Sequence, residues 1–139
     1  MKQNTAIITG ASEGIGAALT KLLIQHEWKV IGLSRNLEKL KLLQNNLCEN
    51  KDYLSIYACD VQDFSKLKSI AKKNNPADLL FLNAGIYTPI DASKNNIEDY
   101  KQHMLINYLG IVNSYEAFLP KMISKKKGQI IIMSSISGW

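Results

Sequence analysis

Cysteine is scarce in this chain, with only Cys48 and Cys59 among 139 residues. They form no CxxC pair and no histidine stands at metal-ligand spacing, which excludes a disulfide framework and a zinc site. No apolar run approaches the roughly 20 residues that a membrane-spanning helix needs. Met1-Lys2-Gln3-Asn4 leads into a short strand-like run without the apolar core of a signal peptide. The expectation is a cytoplasmic protein with no membrane partner. Aromatic residues amount to 8%, and none interleaves with the densest basic run, Lys125-Lys126-Lys127. That run precedes Gly128, as befits a helix C-terminus, where cations meet the negative end of the helix dipole. No DNA-binding motif accompanies it, so the net charge of +5 does not mark a nucleic-acid surface.

What is present is ordinary globular material. Hydrophobic residues make up 46% and charged residues 21%, and the length allows one domain with a real core over residues 1–139. Short apolar runs alternate with helical periodicities. Ala6-Ile7-Ile8, residues 29–33, 53–59, 78–82 and 129–133 read as strands. Ile15, Ala18, Leu19, Leu22 and Leu23 mark one face of a first helix, and Leu37, Leu40 and residues 43–47 mark a second. A third helix spans about 64–73, ended by Asn74-Asn75-Pro76. A longer one spans about 97–124, with Met104, Tyr108, Ile111, Tyr115 and Phe118 on one face and a kink expected at Pro120. Continuous apolar strands alternating with helices predict an α/β fold, a parallel sheet covered on both faces.

The first strand runs directly into Thr-Gly-Ala-Ser-Glu-Gly-Ile-Gly, residues 9–16. A helix N-terminus offers unsatisfied N–H groups and partial positive charge, which suit phosphate. Glycines at 10, 14 and 16 would let a pyrophosphate approach the backbone without Cβ clashes. The spacing differs from Gly-x-Gly-x-x-Gly, and no Gly-Lys-Ser/Thr makes it a nucleotide-triphosphate loop. Taken alone, it is as compatible with a tight structural turn.

Four further motifs follow in order: Cys-Asp-Val at 59–61, Asn-Ala-Gly at 83–85, Ile-Asn-Tyr-Leu-Gly at 106–110 and Met-Ser-Ser-Ile-Ser-Gly at 133–138. Together with the glycine loop they resemble the short-chain dehydrogenase/reductase family over essentially the whole chain. The resemblance implies a doubly wound, Rossmann-like sheet of strand order 3-2-1-4-5, with the last strands of the family fold missing. In such a sheet strands one and four are neighbours at the switch point, and ligands bind beyond their carboxyl ends. The glycine loop and Asn83-Ala84-Gly85 then open onto one crevice.

The family binds a nicotinamide dinucleotide. On this chain the resemblance assigns cofactor contacts to Gly10, Ser12, Gly14, Ile15, Gly16, Ser34, Arg35, Asp60, Val61, Asn83, Ala84 and Gly85. Ser34 stands where the NAD-selecting aspartate would be, and Arg35 stands where an arginine neutralises the 2′-phosphate of NADP. NADP(H) is therefore expected over NAD(H). Glu13 is a departure, because many NADP-preferring relatives carry a basic residue there. Asp60 resembles the family's adenine-contacting aspartate, and Asp63 is the better N-cap for the third helix.

For catalysis the resemblance assigns Ser135 to the substrate oxygen and Asn107 to a water relay, the substrate being a small carbonyl or alcohol. The family's proton donor, a tyrosine in Tyr-x-x-x-Lys, is expected about a dozen residues after Ser135. None of the six tyrosines has lysine four residues on. The chain is thus expected to hold the cofactor half of the enzyme, C-terminally incomplete and catalytically incompetent. The alternative is a truncated dinucleotide-binding or self-associating module, because the fifth strand would be an apolar sheet edge. Relatives assemble through the long helix, so a homo-oligomer is expected.

Overall fold

β1 (Thr5–Thr9) is the middle strand of a five-stranded parallel sheet. The computed structural model describes residues 3–91, 93–94 and 97–135. Along the chain follow α1 (Gly14–Gln25), β2 (Lys29–Ser34), α2 (Leu37–Asn45), β3 (Leu54–Ala58), α3 (Phe64–Lys73) and β4 (Leu79–Leu82). Then come α4 (Ile97–His103), α5 (Gly110–Lys125) and β5 (Gln129–Ile132). The strands lie in the order β3-β2-β1-β4-β5, and every neighbouring pair is parallel. The doubly wound arrangement expected from the sequence is present.

Period-two alternation explains why both faces of the sheet are apolar. On β1, Ala6 and Ile8 pack with Val30, Leu40, Leu54 and Phe81, while Ile7 points the opposite way onto Ile31, Leu67, Leu80 and Phe118. The first layer is closed by α1 and α2 and the second by α3 and α5. Ile7, Ile8, Leu33, Leu40, Leu67, Leu80 and Leu82 are each under 2% or at 2% exposed, so the core is dry around the strands that carry the loops of the site. Asp63 caps α3 by accepting the Lys66 N–H at 2.9 Å, and Asn36 caps α2 by accepting the Lys39 N–H at 2.9 Å.

The long helix departs from the expected single face. Between α4 and α5 the backbone forms a π-helical stretch, Met104–Leu109. That wider turn shifts the helical phase, so Ile106, Gly110, Ser114, Phe118 and Met122 face the core while Met104 and Tyr108 stand exposed. Only Ile111, Tyr115 and Phe118 of the expected stripe meet the core. Pro120 lies inside α5, which runs through it to Lys125. Pro120 is exposed, and there the missing N–H leaves a carbonyl that water can satisfy.

At the opposite end of the sheet from the glycine loop, Asp78 ties three segments together. Its carboxylate accepts the Thr5 N–H at 3.0 Å and the Lys125 ammonium at 2.6 Å, with Lys127 at 3.8 Å. Burial pushes the carboxyl pKa upward, but the hydrogen bonds from Lys125 and Thr5 and the two lysine charges outweigh it and hold it below the ordinary value. A depressed folded-state pKa gives stability that is complete above the unfolded pKa, about 3.9, and lost as pH falls through the folded one. Asp78→Asn is expected to cost about 1–2 kcal/mol at pH 7 and much less at pH 3. Urea denaturation of both proteins at the two pH values checks it; an equal cost at both would contradict the assignment.

Candidate functional site

The site begins where β1 and β4 end side by side. The buried Thr9 hydroxyl accepts two backbone N–H groups from the β4 loop, Asn83 at 3.0 Å and Ala84 at 3.1 Å. In return the Asn83 side-chain amide donates to the carbonyls of Thr9 at 3.3 Å and Gly10 at 3.2 Å. The two loops are thereby locked into one rigid floor. Gly10 turns the chain with φ +68°, and Gly16 packs so closely that a Cβ on it would stand 2.1 Å from the Gly10 carbonyl oxygen. Thr9→Val keeps the shape but removes the acceptor from both N–H groups. An expected loss of about 2–4 kcal/mol follows from two unsatisfied donors, and thermal unfolding checks it; a loss under about 0.5 kcal/mol would mean the hydroxyl holds neither.

Above that floor lies a cleft of about 390 Å³. It is walled by the glycine loop, the ends of β2 and β3, and Asn83-Ala84-Gly85. Of the twelve cofactor positions expected from the sequence, eleven line it; Gly16 sits behind the loop it shapes. The first turn of α1 opens onto the cleft through Gly14 and Ile15, and its N-cap residue, Glu13, makes no side-chain cap. No intrahelical partner exists for the N–H groups at such a start, which leaves them as donors. A Cβ on Gly14 would meet nothing within 4 Å, at φ +54°.

At one mouth, the β1 and β2 loops meet. The Ser12 and Ser34 hydroxyls hydrogen-bond at 2.8 Å, the Asn36 N–H donates to Ser34 at 3.3 Å, and the exposed Arg35 lines the rim. The Glu13 carboxylate accepts the ammonium of Lys39, a residue of the first turn of α2. At the β3 end, the Asp60 carboxylate accepts the Gln62 N–H at 2.9 Å, and Asp63 does the capping of α3. Cys59 lines the cleft beside it, and burial pushes its thiol up to about 11 against the lowering charge of Lys66. It stays protonated near neutral pH and is no nucleophile.

Neither expected catalytic residue, Asn107 or Ser135, is among those that line the cleft. Asn107, within the π-helical stretch, clamps the loop after β4: its Oδ1 accepts the Ile86 N–H at 2.8 Å and its amide donates to the Ile86 carbonyl at 2.9 Å. His103, one turn earlier, holds the same loop by accepting the Thr88 N–H on Nε2 at 3.0 Å. Ser135 follows β5 and is exposed, while residues 136–138 of its motif lie outside the described residues. Sequence reasoning missed Leu33, Cys59 and Ile106 as cleft residues and Lys39 altogether. Cys59 and Ile106 are the first residues of their motifs and Leu33 stands beside Ser34, whereas Lys39 carries no signal, because a lysine on an exposed helix turn is commonplace.

A family model described as short chain dehydrogenase matches residues 4–139. The chain belongs to the short chain dehydrogenase family. A probable NADP-dependent dehydrogenase of Haemophilus influenzae is 35% identical over 143 residues, covering 99% of this chain and 56% of that protein. The crystal structure of serine dehydrogenase from Escherichia coli superimposes with a TM-score of 0.88 at 30% identity, over 97% of this chain and 64% of that one. ElxO with NADP bound gives 0.89 at 27% identity, over 99% of this chain and 57% of that one. The chain spans about half the length of the curated relatives it matches. Family members with NADP bound share its fold, and among its described residues no helix is long and apolar enough to cross a membrane.

Proposed function

We infer that this chain forms the cofactor-binding part of an NADP(H)-dependent oxidoreductase acting on a small carbonyl or alcohol. The observation that carries this reading is the mouth formed by Ser12, Ser34 and Arg35, with no carboxylate at the end of β2. A carboxylate there would accept hydrogen bonds from a ribose 2′-hydroxyl; hydroxyls and a guanidinium instead suit a 2′-phosphate. The residues present fit the whole dinucleotide as well. Uncapped N–H groups at the start of α1 and open space at Gly14 suit a pyrophosphate, and Asp60 and Val61 line the side that would take adenine. The name of the Haemophilus influenzae relative and the NADP bound to ElxO support the same cofactor.

When bound, a nicotinamide dinucleotide supplies the hydride. In this reading the Ser135 hydroxyl donates to the substrate oxygen, and Asn107 positions the loop after β4 and the water that feeds the proton path. None of the six tyrosines is followed by lysine four residues on, so these 139 residues offer no Tyr-x-x-x-Lys donor. A second reading, a dinucleotide-binding module that associates through β5, rests on the exposure of Ile131 and Ile132 on that strand. Both readings expect the same result in one assay, and a stable oligomer of the chain without turnover would favour the second. Purified chain mixed with NADPH and a panel of aldehydes and ketones is expected to bind the cofactor without multiple turnovers. Sustained NADPH oxidation that Ser135→Ala removes would contradict the absence of a donor, and failure to bind NADPH would contradict both readings.

A further inference from the structure

Glu13 lines the cleft together with Ser12, Ser34 and Arg35, where a carboxylate is unfavourable to a dianionic 2′-phosphate. Its backbone is at the N-cap of α1, yet its side chain does not cap that helix. The carboxylate instead reaches the Lys39 ammonium on α2, 26 positions further along the chain. The two side chains are 69% and 52% exposed. Pairs this exposed add little stability, typically under about 1 kcal/mol, and the loops they join are already tied by the Ser12–Ser34 bond and by the Ala11 N–H to the Leu33 carbonyl at 3.1 Å. Stability is therefore a poor account of the pair. Charge is a better one.

We propose that Lys39 is a cofactor-discriminating residue, which neutralises Glu13 and so permits a 2′-phosphate at this mouth. This rests on the NADP(H) reading of the same site. With Lys39 in place, Glu13, Arg35 and Lys39 sum to +1; without it the sum is zero and a bare carboxylate faces the phosphate. Because the carboxylate holds the ammonium at the rim, Lys39 is also placed to shift toward an arriving phosphate, a stronger hydrogen-bond partner for a cation.

The test is the ratio of NADPH to NADH affinity, which isolates the 2′ group, measured by calorimetry on the full chain and its variants at low salt. Lys39→Met should lower the ratio about five- to tenfold, and Glu13→Gln should raise it about three- to fivefold. The double variant, with Arg35 as its only charge of the three, should return near the parent ratio. All these differences should shrink as salt rises. A ratio unmoved by either single variant, or moved in the same direction by both, would overturn the proposal while the parent's NADPH preference still upheld the cofactor reading. A parent with no preference for NADPH would overturn the cofactor reading, and this proposal with it. Thermal unfolding of each variant within a few degrees of the parent is expected from such exposed side chains, and it separates charge from misfolding.

Discussion

Gly16→Ala is expected to dismantle the site. The new Cβ would lie 2.1 Å from the Gly10 carbonyl oxygen, 2.8 Å from the Asn83 amide nitrogen and 2.9 Å from the Gly10 carbonyl carbon. Two of these atoms are backbone, so no side chain can swing aside. Either α1 moves away from the end of β1 or the glycine loop opens, and each breaks the Thr9–Asn83 lock beneath it. Overpacking of this kind costs about 3 kcal/mol or more, a fall of order 10 °C in melting temperature for a chain of this size. Gly14→Ala is the informative control. Its Cβ meets nothing, so its cost is the left-handed backbone at φ +54°, about 1 kcal/mol. It should melt only a few degrees below the parent and yet bind nucleotide poorly, because the added methyl stands at the start of α1 where a phosphate would sit. Circular dichroism melts with parallel nucleotide titrations check the pair. A Gly16→Ala protein as stable as Gly14→Ala would refute the close packing.

Arg35→Asp should reverse the cofactor preference. The guanidinium is exposed at the rim, so its replacement disturbs no packing and its effect reads on binding alone. A charge-assisted contact to phosphate is lost and a like charge is put in its place. At about 1.5–3 kcal/mol for the contact, and more for the repulsion, NADPH affinity should fall about 100-fold. NADH should gain, since the new carboxylate can accept hydrogen bonds from the ribose hydroxyls. Titration of both reduced cofactors against the variant measures it. NADPH affinity changed less than threefold would show that Arg35 does not meet the phosphate.

Much of the architecture was legible because the strands are apolar on both faces and the motifs sit at their ends. Ala6-Ile7-Ile8 could only be a buried strand once glycines followed it, and the order β3-β2-β1-β4-β5 came with the motif set. Eleven of the twelve expected cofactor positions line one cleft for the same reason: a parallel sheet brings every strand's carboxyl end to one edge. What escaped was local geometry that periodicity cannot encode. The π-helical stretch at Met104–Leu109 moved Met104 and Tyr108 off the core face, and a count at 3.6 residues per turn has no way to foresee it. The role of Thr9 was equally hidden, since a threonine at a strand end looks like β-propensity until its hydroxyl is found holding two N–H groups. Glu13 stood out in the sequence as an oddity. Its partner could not, because Lys39 lies 26 residues away and only the fold brings them together.

The most direct test is a calorimetric titration of the chain with NADPH and, separately, with NADH. The cleft predicts saturable binding of one NADPH per chain, at least tenfold tighter than NADH and weakening with salt as a phosphate contact must. Equal affinity for the two would contradict the reading of the Ser34–Arg35 mouth, and no binding of either would contradict the glycine loop as a phosphate cradle.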